Sequence, residues 1–148
     1  FNITDPDYTY FGIKDYQQLA VIRKMARDFD QRLRIVPVEI VRESDGLAMS
    51  SRNRYLSNEE REAAVVLSRS LNEAREAFVS GERSAAAIQD LVENLINTEP
   101  LAWIDYVAVV DAETLLAIER IERPAVVLLA VKFGATRLID NIVLSEVS

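Results

Sequence analysis

The stretch Gly46-Leu47-Ala48-Met49-Ser50-Ser51-Arg52-Asn53-Arg54-Tyr55 sets two adjacent hydroxyls, an asparagine and two arginines behind a glycine turn. Such a segment donates many hydrogen bonds and carries two fixed positive charges, the chemistry of polyanion recognition and of a phosphate chain in particular. Upstream lies Phe11-Gly12-Ile13-Lys14-Asp15-Tyr16-Gln17-Gln18, where a glycine and a lysine stand at the expected start of a helix. Two phosphate-compatible clusters in one short chain suggest a nucleotide site.

Within the upstream cluster, Lys14 and Gln18 are four residues apart and Asp15 and Gln18 three, so a helix gathers an ammonium, a carboxylate and an amide on one face. A lysine at a helix N-terminus opposes the dipole by about 0.3–1 kcal/mol, and an anionic ligand there reverses the sign. Gly12 just before lets a ligand approach the backbone. Spacing alone equally fits solvated surface charges at Lys14 and Asp15. Met49-Ser50-Ser51-Arg52 has the stronger claim. Paired hydroxyls and an arginine on a loop suit a segment that folds over a triphosphate and stabilises charge on a departing pyrophosphate. A polar interdomain linker is the alternative, and Met49 can be a core plug or apolar backing for an adenine ring. Tyr16, Trp103 and Tyr106 read as core or half-buried residues rather than stacking platforms. Asp105, Asp111 and Asp140 are spaced too widely for a metal cluster, so no protein-only metal site is assigned.

Composition narrows the chemistry. The chain has 148 residues and no cysteine or histidine, which removes thiolate and Ser-His-Asp catalysis and the usual zinc ligand sets. The absence of cysteine fits a cytoplasmic setting. A formal net charge of −7 argues against diffuse attraction to nucleic acid or anionic lipid, so phosphate recognition must be local. Apolar runs such as Ala125 to Val131 fall far short of the roughly 20 residues of a membrane helix. Phe1-Asn2-Ile3 carries neither an initiator methionine nor a signal-peptide pattern. The expectation is an interior portion of a longer protein, with apolar surface exposed where the remainder packs.

The elements that must position these groups follow from periodicity. Lys14 to Arg27 reads as an amphipathic helix with a Leu19, Ile22, Met25, Ala26 and Phe29 stripe, and Asp28 to Arg34 as a turn. Ile35 to Val41 reads as a buried strand interrupted by Pro37. Arg42 to Arg54 reads as a loop. Ser57-Asn58-Glu59-Glu60 is a capping box opening a helix with Ala64, Leu67, Leu71, Ala74 and Phe78 on one face, stopped by Gly81. A second helix begins near Ser84, with stripe Ile88, Leu91, Val92, Leu95 and Ile96, and ends at Pro100. Three strands follow at Trp103–Val110, Ala125–Val131 and Arg137–Leu144, the last two joined by a tight hairpin at Gly134. Asp111 is expected to cap a short helical turn at Leu115 to Ile118.

Phe11 to Gln18, Asp45-Gly46-Leu47-Ala48-Met49-Ser50-Ser51-Arg52-Asn53 and Thr136-Arg137-Leu138-Ile139-Asp140-Asn141 closely resemble, in order and spacing, the pantoate–β-alanine ligase (pantothenate synthetase) family. The resemblance runs from near Tyr10 to the end and implies the carboxy-terminal portion only. The family's HIGH-type histidine motif, its remaining pantoate contacts and most of its homodimer interface would lie upstream of Phe1. The implied fold is α/β. Residues 1–55 would form the tail of a Rossmann-like nucleotide-binding domain with a KMSKS-like loop. Residues 56–148 would form a small α+β lid domain with two helices and a roughly three-stranded antiparallel sheet. The implied reaction condenses pantoate and β-alanine using ATP, with Mg2+ on the phosphates, through a pantoyl adenylate. Carried over residue by residue, the resemblance implies Lys14, Ser50 and Arg52 as catalytic phosphate contacts with Ser51 nearby. It implies Gly12 and Asp15 at the ribose, Val41 and Met49 at the adenine, and Gln18 at pantoate.

Two other readings stay open on residues alone. KMSKS-like loops also occur in nucleotidylyltransferases and class I aminoacyl-tRNA synthetases, although the acidic charge and lack of a basic stripe count against a tRNA partner. A non-catalytic interaction module with an arginine-rich linker is the other.

Overall fold

A computed structural model of the chain describes residues 8–30 and 34–146. Phe1-Asn2-Ile3 and the middle of the expected Asp28–Arg34 turn lie outside the described residues. The chain divides into two compact units, one ending at Ile40 and one beginning at Val41, so the loop 41–55 packs with the second unit.

The first unit is a β-α-β arrangement. Strand β1 (Tyr8–Gly12) leads through a 3-10 turn (Ile13–Asp15) into helix α1 (Tyr16–Asp28), and β2 (Arg34–Val38) returns parallel to β1. Parallel strands require a crossover, and α1 provides it. The aromatic and β-branched run Tyr8-Thr9-Tyr10-Phe11 favours a strand, a signal that the expectation of a helix start at Gly12 obscured. The expected stripe of α1 is buried at Leu19 and Ala26, joined by Tyr16, whereas Met25 and Phe29 are exposed. The expected buried strand at Ile35–Val41 is shorter and half-exposed. Pro37 lies in register with Phe11, and Val41 falls outside the strand and is 63% exposed. In a two-stranded sheet each strand has a free edge, where a proline is tolerated.

The second unit is a two-layer α+β domain. Helices α2 (Asn58–Ala63), α3 (Val66–Val79) and α4 (Ala85–Asn97) precede an antiparallel sheet of order β3 (Ala102–Asp111), β4 (Ala125–Phe133), β5 (Thr136–Leu144). Helices α3 and α4 pack on each other, α4 against β3 and α3 against β5. Between the layers lie Leu71, Ile88, Val92, Ile96, Val127 and Leu129, each at most 1% exposed. Central strand β4 is buried at every position except Lys132.

The capping box forms as expected: Glu60 N–H donates to the Ser57 hydroxyl at 3.1 Å and Ser57 N–H to the Glu60 carboxylate at 2.9 Å. The single helix expected after it is broken once. Ala64 and Val65 keep right-handed dihedrals, but Leu67 N–H reaches only to the Ala64 carbonyl, a 3-10 bond, and the Ser68 hydroxyl donates back to the Val65 carbonyl at 3.1 Å. Serine back-bonding of this kind bends helices. Helix α3 stops where Gly81, at φ +113°, closes a Schellman motif with Gly81 N–H on Phe78 and Glu82 N–H on Ala77. The β4–β5 hairpin pairs Phe133 with Thr136 around Gly134, whose φ of +60° precedes an Ala135 without positive φ, the sign pattern of a type II′ turn.

Two expectations fail in this unit. Leu115 to Ile118 is no helix: Leu115 sits at φ +60° and Ala117 bridges back to Val110. Asp111 does cap the turn, its Oδ1 accepting from Glu113 and Thr114 N–H at 2.9 Å, but β3 runs through it and leaves no room for helical continuation. Trp103 is 74% exposed rather than core; Tyr106 is half-buried and Tyr16 buried.

The Asp111 carboxyl is held at about 2, by the Thr114 N–H and then the Arg123 guanidinium at 2.7 Å. A depressed carboxyl stabilises the fold above its unfolded value, and that contribution disappears as pH falls through the folded value. In Asp111→Asn the amide oxygen still caps the turn but the charge is gone. We therefore expect wild type to exceed this variant in thermal midpoint at pH 6, and the gap to close between about pH 4 and pH 2. Calorimetry across that range checks it, and a gap independent of pH would contradict it.

Candidate functional site

In the first unit the expected site residues Gly12, Lys14, Asp15 and Gln18 fall where β1 runs through the 3-10 turn into α1. Gly12 ends the strand at φ −66° and ψ 134°, ordinary extended backbone, and a Cβ built there meets nothing within 4 Å. Its contribution is therefore an open approach to the backbone rather than conformational freedom. Lys14 is half-buried, while Asp15 and Gln18 are exposed. Among the described residues no side chain caps the start of the 3-10 turn or of α1.

The second cluster belongs to a loop that is far more ordered than its composition suggests. Arg42 bridges antiparallel to Ala48, Glu43 N–H donates to the Leu47 carbonyl at 2.8 Å, and Met49 N–H to the Val41 carbonyl at 2.9 Å. Val41 and Met49, the expected adenine residues, are thus joined by backbone, and both are exposed. Gly46 turns the loop at φ +94°, and a Cβ there would lie 2.8 Å from the Ser68 hydroxyl, so the position needs glycine for both reasons. Leu47 inserts into the core at 2% exposure.

After this turn the chain enters a 3-10 segment, Ser51–Tyr55, capped by Ser50, whose hydroxyl accepts from Arg52 N–H at 3.2 Å. Ser51 and Arg52 are exposed. The Arg52 guanidinium donates only to the Arg137 carbonyl, at 3.4 Å, and pairs with no carboxylate among the described residues. Arg54 lies over the Tyr55 ring at 4.9 Å and donates to its hydroxyl. Neighbouring arginines are neutralised instead. Arg42 makes a two-pronged bond to buried Asp140 at 2.8 and 2.9 Å, and Arg61 of α2 grips Glu43 at 2.6 Å and Asp45 at 2.8 Å. Hydrogen bonding from Arg61 is the main cause holding the Glu43 and Asp45 carboxyls below the usual range, aided by Asn53 at Glu43 and the Leu47 N–H at Asp45.

Sequence reasoning missed Arg42, Glu43, Arg61 and Asp140 as the frame of this loop. Asp140 lay within a family-like motif, but nothing in the linear sequence announces a partner 98 residues away. The juxtaposition of Arg42 with the acidic pair Glu43 and Asp45 was the available signal. Among the described residues no group of three or more acidic, histidine or cysteine side chains is placed to hold a metal ion, and no helix is long and apolar enough to cross a membrane.

Comparison with known proteins agrees with the fold. The family model for pantoate-beta-alanine ligase matches residues 1–143. Pantothenate synthetase of Pelotomaculum thermopropionicum is 53% identical over 99% of this chain and 52% of its own length. That of Acetivibrio thermocellus is 54% identical over 97% and 51%. The crystal structure of pantothenate synthetase from Thermus thermophilus superposes with a TM-score of 0.89 at 44% identity, covering 96% of this chain and 51% of that one. The pantoate-beta-alanine ligase of Francisella tularensis, complexed with beta-gamma ATP and beta-alanine, superposes at 0.62 with 25% identity, covering 95% and 45%. The chain belongs to the pantoate-beta-alanine ligase family. It spans about half the length of the relatives it matches.

Removing the Asp140 carboxylate leaves Arg42 without its buried partner and frees the loop from β5. Because Arg42 is itself 31% exposed, Asp140→Ala should cost about 3 kcal/mol, the low end for a broken buried pair. Urea unfolding measures the loss, and trypsin should cut faster after Arg52 and Arg54. Unchanged stability and cleavage would show that the loop is held by other means.

Proposed function

We propose that this chain supplies the carboxy-terminal share of a ligase that condenses pantoate with β-alanine, driven by ATP. Pantoate's carboxylate attacks the α-phosphorus of ATP and pyrophosphate leaves, giving pantoyl adenylate. The amine of β-alanine then attacks the acyl carbon, AMP departs, and the nitrogen loses its proton to solvent. The observation that carries this reading is the Ser50-capped turn. In a chain matching the ligase family, it exposes Ser51 and an arginine without a carboxylate partner among the described residues.

In this reading Lys14, Ser50 and Arg52 contact the phosphates with Ser51 beside them. Gly12 and Asp15 meet the ribose, Val41 and Met49 the adenine, and Gln18 the pantoate. ATP enters as its magnesium complex, so Mg2+ is part of the substrate. The nucleophile comes from pantoate, which suits a chain without cysteine or histidine. The protein aligns the reactants, worth roughly 7–11 kcal/mol of barrier, and neutralises charge that grows on pyrophosphate. Residues 1–55 belong functionally to the nucleotide site, and 56–148 act as a lid that keeps water from the acyl adenylate. The complete enzyme is a cytoplasmic homodimer.

In a protein of full family length carrying this chain, Lys14→Ala and Arg52→Ala should each lower pantoate-dependent ATP–pyrophosphate exchange by about 10²–10³-fold. Near-normal exchange in either variant would remove that residue from the site. The 148-residue chain alone should form no pantothenate from pantoate, β-alanine and ATP. Turnover by the purified chain, followed by AMP release, would show that it holds a complete active site.

A further inference from the structure

The Met49–Arg52 segment is closed at its base by one side chain. Asn53, the residue immediately after it, donates from Nδ2 to the carbonyl of Ala48, the residue immediately before it, at 3.1 Å. The same amide nitrogen donates to Glu43 Oε1 at 3.2 Å. Glu43 is not free to follow the loop, because its other oxygen accepts from Arg61 Nη2 at 2.6 Å, and Arg61 projects from helix α2. The ends of the segment are thereby tied to each other and to a helix.

The chemistry of this staple is specific to asparagine. Both partners of Nδ2 are acceptors, and Glu43 is kept ionised by Arg61 and Asn53, so rotating the amide would set its oxygen against a carboxylate and a carbonyl. Asn53 Oδ1 is buried and accepts from nothing among the described residues. Aspartate would bring two oxygens to the same acceptors, and alanine would bring nothing.

Resting on the ligase reading above, we propose that Asn53 is a positioning residue for adenylation: it sets the conformation in which Ser50, Ser51 and Arg52 meet the phosphates, without touching substrate itself. The loss on breaking the staple falls on kcat and on KM for ATP, and KM for pantoate is unchanged. A purely structural role would lower stability and leave these parameters alone in the folded enzyme.

The experiment is pantoate-dependent ATP–pyrophosphate exchange in a protein of full family length carrying this chain, measured well below the melting temperature. Asn53→Ala should lose about 10- to 100-fold in kcat/KM for ATP, the scale of a small misplacement of catalytic groups. Ile88→Ala, which opens a cavity in the α4 core, should melt earlier yet exchange normally. Asn53→Asp should be worse than Asn53→Ala. Adding Glu43→Gln should then restore about tenfold, since the new glutamine amide donates to the carboxylate introduced at position 53 while its oxygen still accepts from Arg61. That paired comparison decides the matter if Asn53→Ala does not fold. Asn53→Ala within about threefold of wild type, or an Asn53→Asp defect indifferent to Glu43→Gln, overturns the inference. Arg52→Ala run alongside separates the cases. If it is impaired while Asn53→Ala is normal, only the positioning role fails; if Arg52→Ala is near normal, the phosphate site and this inference fall together.

Discussion

The two-pronged bond between Arg42 and Asp140 is the constraint on which the loop depends. Asp140 is 2% exposed on β5, and a carboxylate so placed is tolerated only if its charge is met. Arg42 meets it with both terminal nitrogens, and one of these also donates to the Gly46 carbonyl at 3.0 Å. One guanidinium thus joins the sheet to the turn that carries Leu47 into the core. Remove the charge match and three things loosen together: β5, the Gly46 turn and the Leu47 plug.

Around that pair the arginines of the second unit divide by role. Arg42 and Arg61 are taken up by Asp140, Glu43 and Asp45, and Arg137 by Asp105 at 2.7 Å. Arg52 is fixed by backbone instead, through the Ser50 cap, and its charge is matched by no carboxylate among the described residues. In a chain of net charge −7 this matters, because a long-range field cannot draw in a triphosphate. Attraction must come from a few cations kept from nearby acids, and the fork from Arg61 keeps Glu43 and Asp45 occupied elsewhere.

Local rules made much of this legible. The Ser57–Glu60 box, the Gly81 stop and the Gly134 hairpin turn each depend on contacts a few residues apart, and each appears as expected, as do the strands read from β-branched runs after Pro100. The failures are non-local or competitive. Leu115 to Ile118 has a good cap and a helical look, but Val110 takes Ala117 as a bridge partner and the strand wins. Ile35 to Val41 looks buried because it is apolar, yet burial depends on what stands beside a strand, and here one neighbour, β1, is all the described residues supply. The two clusters were picked out by residue type. The frame of the second was not, since Arg42 and Asp140 lie 98 residues apart in sequence.

The same dependence explains why the loop can be exposed without being loose. The conformation of a surface loop is lost to entropy unless the loop is tied at many points. Here the polar ties come from three directions: Asp140 from the sheet, Arg61 from α2, and Asn53 across the base. Each uses a polar group that would cost stability if left alone in a half-buried setting. Ser51 and Arg52 stand at the edge of this frame with their side chains exposed, on backbone that the Ser50 cap holds.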